Sequence, residues 1–137
     1  MTHILLIGTE LPLLEGLAQS FASLGYQPTV ASSIAEGREL AAANLPLVTV
    51  VSRTLAANAP AETLSIPLAP GGARMLYRSV GSPLVTFSGS VLRAILADLT
   101  LPLERNRLIA LVQHVDQRAR ATGRAGQGDS DQQVTPI

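Results

Sequence analysis

Two nearly unbroken apolar runs constrain this chain more than any other feature: Ile4-Leu5-Leu6-Ile7 and Leu47-Val48-Thr49-Val50-Val51. A strand that faces water on one side alternates apolar and polar residues, whereas one covered on both faces does not. These runs therefore call for a parallel sheet with helices on both sides. The sequence between them supplies the helices. Pro12 suits a first helical turn. Leu14, Leu17, Ala18, Phe21 and Leu24 recur at helical spacing, and Gly25 closes the stretch as a C-terminal cap. Residues 26–31 read as a second, less apolar strand. Ser33-Ile34-Ala35-Glu36 fits a capping box, opening a helix over 34–43 that Asn44 and Pro46 stop.

The second half is less regular. Residues 53–72 contain Pro60, Pro67, Pro70, Gly71 and Gly72, with Leu64-Ser65-Ile66 offering a short extra strand. Met75, Leu76 and Ser79 suggest a helix over 72–80. Residues 83–87 read as a fourth strand, followed by Ser88-Gly89-Ser90. Residues 91–96 form a short apolar stretch, helical or irregular, and 99–101 a fifth strand stopped by Pro102. A last helix begins near Glu104 and buries Leu108, Leu111, Val112 and Val115. Beyond Arg120 no apolar period remains to repay the entropy of ordering. The expectation is one domain over 1–120 and a disordered tail over 121–137.

Composition narrows the function. The 137 residues are 47% apolar and only 3% aromatic, so the core is aliphatic. Ten basic and ten acidic residues leave no net charge, which argues against nucleic acid as the main partner. The chain has no cysteine, excluding disulfides and thiolate chemistry. No apolar run approaches the roughly 20 residues of a membrane span, and no basic region precedes the first strand. A cytoplasmic protein with neither signal peptide nor membrane partner is expected. All ten basic residues are arginine; there is no lysine, and no aspartate precedes Asp98.

The order of elements now resembles a family. "HILLIGTE" is similar to the opening strand of response-regulator receiver domains, and "LPLLEGLAQSFASLGY" to their first helix. "NLPLVTVVS" resembles the third strand, "SPLVTFSG" the fourth, and "LTLPLERNRLIALVQHV" the fifth strand with the last helix. The resemblance covers most of residues 3–118. It implies a flavodoxin-like (CheY-like), three-layer, doubly wound α/β fold, with five parallel strands ordered 2-1-3-4-5. Residues 53–72 then form an irregular insertion, and the fourth helix is shortened.

Carried over position by position, the resemblance implies a degenerate site. The acidic pair that binds Mg²⁺ in the family falls at Gly8 and Thr9, with Glu10 beside them. The phosphoacceptor aspartate falls at Ser52, the phosphoryl-contacting hydroxyl at Ser88, the conserved-type lysine at Leu101, and the following proline at Pro102. Asp98 takes the aromatic switch position. Phosphoryl transfer relies on metal and cationic clamping of charge, and Mg²⁺ takes carboxylate oxygens. The expectation is therefore a pseudo-receiver of a two-component system. It would use no metal and no cofactor and would not be an enzyme. It would dock to a kinase or regulator, or to itself, through strands four and five and the last helix. A small-ligand sensor is the alternative, with an anion or nucleotide in the crevice of Thr9, Glu10, Ser52, Arg53 and Ser88.

Other motifs read as ordinary structure. His3 and His114 lie too far apart in sequence to suggest a metal pair. Ser88 lacks a nucleophile elbow. Gly8 lacks the rest of a dinucleotide fingerprint, and Gly71-Gly72 lacks the lysine of a phosphate loop. Arg118, Arg120 and Arg124 complement the end of the last helix.

Overall fold

The computed structural model describes residues 2–81 and 87–134, with side chains as far as Thr122. Five parallel strands form one sheet in the order β2-β1-β3-β4-β5: β1 (His3–Ile7), β2 (Gln27–Ala31), β3 (Val48–Ser52), β4 (Ala73–Ser79) and β5 (Ala97–Leu101). The helices are α1 (Leu11–Ser23), α2 (Ile34–Ala43), α3 (Arg53–Asn58), α4 (Pro60–Leu64), α5 (Gly89–Arg93) and α6 (Arg105–Val134). This is the expected flavodoxin-like, doubly wound arrangement.

Alternation along the strands builds two cores. Ile4, Leu6, Val48 and Val50 face α1 and α6 and meet Leu14, Phe21, Leu108 and Val112. Leu5, Ile7 and Val51 face the other layer and meet Ile34, Ala41, Ala56 and Ile66. Each such side chain, fully removed from water, contributes about 1.5–3 kcal/mol, which is why the apolar runs dictate the layering.

The capping box opens α2 with a shift of one residue. Ser33 accepts from the Glu36 backbone N–H at 3.1 Å, while the Glu36 carboxylate reaches back to Ser32 N–H at 2.7 Å rather than to Ser33. Between β3 and β4 the chain makes two short helices. Ala59 leaves helical geometry ahead of Pro60 (φ −146°, ψ 62°), as a residue before proline tends to do. The extra strand expected at Leu64-Ser65-Ile66 does not form: Leu64 ends α4, and Ile66 turns fully into the core.

The fourth strand is the main correction. It is β4 at Ala73–Ser79, where a helix was expected, and its register pairs Ser52 with Tyr77. The expected strand over 83–87 falls largely outside the described residues; Phe87 itself is not in a strand. Arg74 and Arg78 give this segment a helix-like polar spacing. In the strand both alternate onto the same face as Leu76, while Met75 and Tyr77 enter the opposite core. Arg74 donates to the Ile66 carbonyl at 2.7 Å and Arg78 to Thr100 Oγ1 at 3.2 Å, so each arginine finds a partner at the sheet.

The last helix follows its predicted stripe: Leu108, Val112 and Val115 are buried and Leu111 is half-buried. The α6 backbone runs to Val134, into the stretch read from sequence as a disordered tail over 121–137. Residues 135–137 lie outside the described part. Among the described residues no helix is long and apolar enough to cross a membrane.

Candidate functional site

The carboxyl ends of the strands form a crest, where doubly wound folds place their sites. Gly8, Thr9 and Glu10 follow β1, Ser52 ends β3, and Leu101-Pro102 closes β5. Ser88, expected at the end of the fourth strand, does not end β4. With β4 ending at Ser79, it is Ser79 that offers the hydroxyl at that strand end. Ser88 instead caps α5, accepting from Val91 N–H at 3.4 Å and sharing a hydrogen bond with Ser90 at 3.0 Å.

Tyr77 dominates the crest, and the sequence reading missed it. From the middle of the sheet its fully buried ring reaches up so that the hydroxyl donates to Glu10 Oε1 at 2.7 Å. Burial, then this hydrogen bond and the carboxylate's charge, push the phenol well above its ordinary value, so it stays a neutral donor. The hydroxyl lies under Gly8. A Cβ at that position would sit 1.9 Å from it and 3.2 Å from Leu14 Cδ1. Glycine is required there by close approach. Glu10 is also the residue ahead of α1, yet its side chain makes no capping bond to the helix, because Tyr77 holds it.

The other positions are equally changed. Thr9 is exposed, and Ser52 is 5% exposed. Leu101, where the resemblance implies a lysine, is fully buried with Leu99 and Leu108. The Leu101–Pro102 peptide bond is cis. Asp98 forms an ion pair with Arg53, whose guanidinium lies 5.1 Å from the Phe87 ring centroid. Arg53, the expected ligand contact, is thus engaged by an acid and an aromatic face.

These residues do not fit a Mg²⁺ site. Gly8 and Thr9 supply no carboxylate, a side chain at 8 would collide with Tyr77, and Glu10 is taken. Among the described residues no cluster of three or more acids and histidines exists.

No family model and no curated protein matches this chain. Solved structures do. The chain aligns with NtrX from Brucella abortus, solved in complex with ADP, at TM-score 0.73 and 15% identity, over 93% of this chain and 29% of that one. A CheY-like receiver domain protein from Methanospirillum hungatei aligns at TM-score 0.68 and 16% identity, over 88% and 98%. The chain has the fold of response-regulator receiver domains. The beryllofluoride-activated NtrC4 receiver domain dimer aligns at TM-score 0.68 and 15% identity, over 87% and 99%. At these identities the receiver fold is what is shared. This chain spans less than a third of NtrX.

The receiver fold explains why the crest residues meet. Its strand order brings β1 and β3 together at the centre and β4 beside β3. Sequence reasoning placed Gly8, Glu10, Ser52 and Pro102 at the crest but missed Tyr77 and the pairing of Arg53 with Asp98. An aromatic residue in a short apolar stretch was the available signal for Tyr77.

Proposed function

We propose that this chain is a receiver-like signalling module that works without aspartyl phosphorylation and acts by docking to another signalling protein or to its own copy. The observation that carries the reading is the Tyr77 hydroxyl, seated under Gly8 and bonded to Glu10. It fills the space a metal-binding side chain would need. Ser52 provides no carboxyl to phosphorylate, and Leu101 no cation to hold a phosphoryl group. The Arg53–Asp98 pair ties the start of α3 to β5, which supports a switch face held in one arrangement rather than cycled by phosphate.

The docking face would be β4, β5 and the start of α6. Val80 is 63% and Leu103 76% exposed there, with Leu92 of α5 at 45%; exposed apolar side chains of this kind mark contact surfaces when they cluster. Intact-protein mass spectrometry after incubation with acetyl phosphate and Mg²⁺ tests the first half of the reading. No carboxyl-phosphorylated species is expected, and a stoichiometric acyl-phosphate adduct would refute it. Sedimentation and affinity capture with Leu103→Glu test the second half. Loss of the wild-type complex or dimer is expected, and unchanged association would remove this face from the account.

A further inference from the structure

The opposite pole, at the amino ends of the strands, carries a surface that the crest reading does not use. Two troughs lie side by side there, of about 400 Å³ and about 300 Å³, separated by Ala119 of α6. The first has Leu45, Leu47 and Ala69 as its apolar lining; the second has Ala73, Leu96 and Val115. Leu45 and Leu96 are 47% and 51% exposed. The Gly71-Gly72 turn keeps this surface open. Gly71 has φ +80° and lies against Ala119, with 3.2 Å between the place of a Cβ and the Ala119 methyl, and a Cβ on Gly72 would stand 2.6 Å from the Leu47 carbonyl.

Two arginines stand at the rim. Arg118 and Arg120 of α6 border the troughs together with the imidazole of His3. Asp116 is the one carboxylate among the lining residues, and it is already satisfied. It accepts from Arg120 at 3.0 Å, from the Tyr26 hydroxyl at 3.2 Å and from Thr2 at 3.5 Å. The pole therefore combines the exposed Leu45 and Leu96 side chains with two arginines against one carboxylate, and that carboxylate is compensated by Arg120.

We propose that this pole is a docking site for an acidic peptide segment carrying a bulky apolar anchor. The anchor would occupy a trough, where removal of Leu45 or Leu96 surface from water supplies affinity, and the acidic residues would meet Arg118 and the exposed face of Arg120 at the rim, setting preference and association rate. The site lies at the far end of the strands from the crest and from Leu103, so it stands or falls separately from the reading above.

Selection of random displayed peptides against the full chain, followed by titration of the enriched peptides into ¹⁵N-labelled protein, tests it. The expected result is enrichment of Asp- and Glu-rich peptides with one large apolar residue. They should shift the amides of Leu45, Ala69, Gly71 and Ala119 saturably while leaving Thr9 and Ser52 still. Arg118→Glu should weaken binding roughly tenfold, and Leu45→Glu, at another exposed position, should do the same. Enrichment of basic peptides, no enrichment, shifts confined to other surfaces, or unchanged affinity in both variants would overturn the proposal.

Discussion

The two halves of the sheet are held by different forces on the face that carries α2 to α5. Under β1 and β3 that face is apolar: Leu5, Ile7 and Val51 meet Ile34, Ala41 and Ala56. Under β4 and β5 it is mixed: Leu76 joins the apolar cluster, flanked by polar links from Arg74 to the Ile66 carbonyl, Arg78 to Thr100, and Arg53 to Asp98. The opposite face, under α1 and α6, is apolar across the whole sheet. The contrast teaches where this fold can be remodelled. Apolar burial fixes the centre, while polar links on a half-covered outer face can be exchanged without losing the core.

Substitutions can break or sharpen this contrast, beginning with the largest effect. Ile7→Ala in the apolar half should destabilise by about 2–5 kcal/mol, read as a lowered midpoint in urea; Ile7 Cδ1 lies 2.3 Å from the place of a Cβ on Gly37, so the truncation empties the direct contact between β1 and α2. Tyr77→Phe removes a hydrogen bond to a carboxylate at the crest and should cost about 1–2 kcal/mol by the same measurement. Asp98→Asn in the polar half should cost less than about 1 kcal/mol, because its side chain is 34% exposed, and added salt should shrink the difference. A loss for Asp98→Asn equal to that for Ile7→Ala would erase the distinction between the halves.

The smallest effect is one of pH. The Glu104 carboxyl is held below its ordinary value of 4.5 by the Thr100 backbone N–H first and by Arg107 next. Through that window the unfolded state binds more protons, so stability rises with pH. The contribution is full above the ordinary glutamate value and is lost as pH falls through the depressed folded one. Denaturation midpoints of wild type and Glu104→Gln should therefore converge at low pH. A gap that persists in acid would assign the effect to the side chain's shape.

The same contrast explains what the sequence makes legible. β1, β3, α1 and α6 are written in apolar periods, because burial on both faces or along one stripe leaves that mark at Ile4–Ile7, Val48–Val51 and Leu108–Val115. β4 is not so written. Arg74 and Arg78 lie on the half-covered face, where long stems can run along the sheet and find polar partners, so the segment imitates a helix and displaces the fourth strand to 83–87. That error carried Ser88 into a role at the strand end that Ser79 occupies. At the crest, the missing acids at Gly8 and Thr9 are visible in one dimension. The reason Gly8 tolerates no side chain is visible only when Tyr77, 69 positions later in the chain, comes to lie beneath it.

The most direct test of the central claim is an amide-shift titration of the ¹⁵N-labelled protein with beryllofluoride and Mg²⁺, a mimic of the phosphorylated aspartate. A crest closed by Tyr77 and Glu10 predicts that the resonances of Thr9, Glu10, Ser52, Arg53 and Ser79 stay in place. Saturable shifts at those residues would mean that the site still accepts metal and phosphoryl analogue, and would contradict the account.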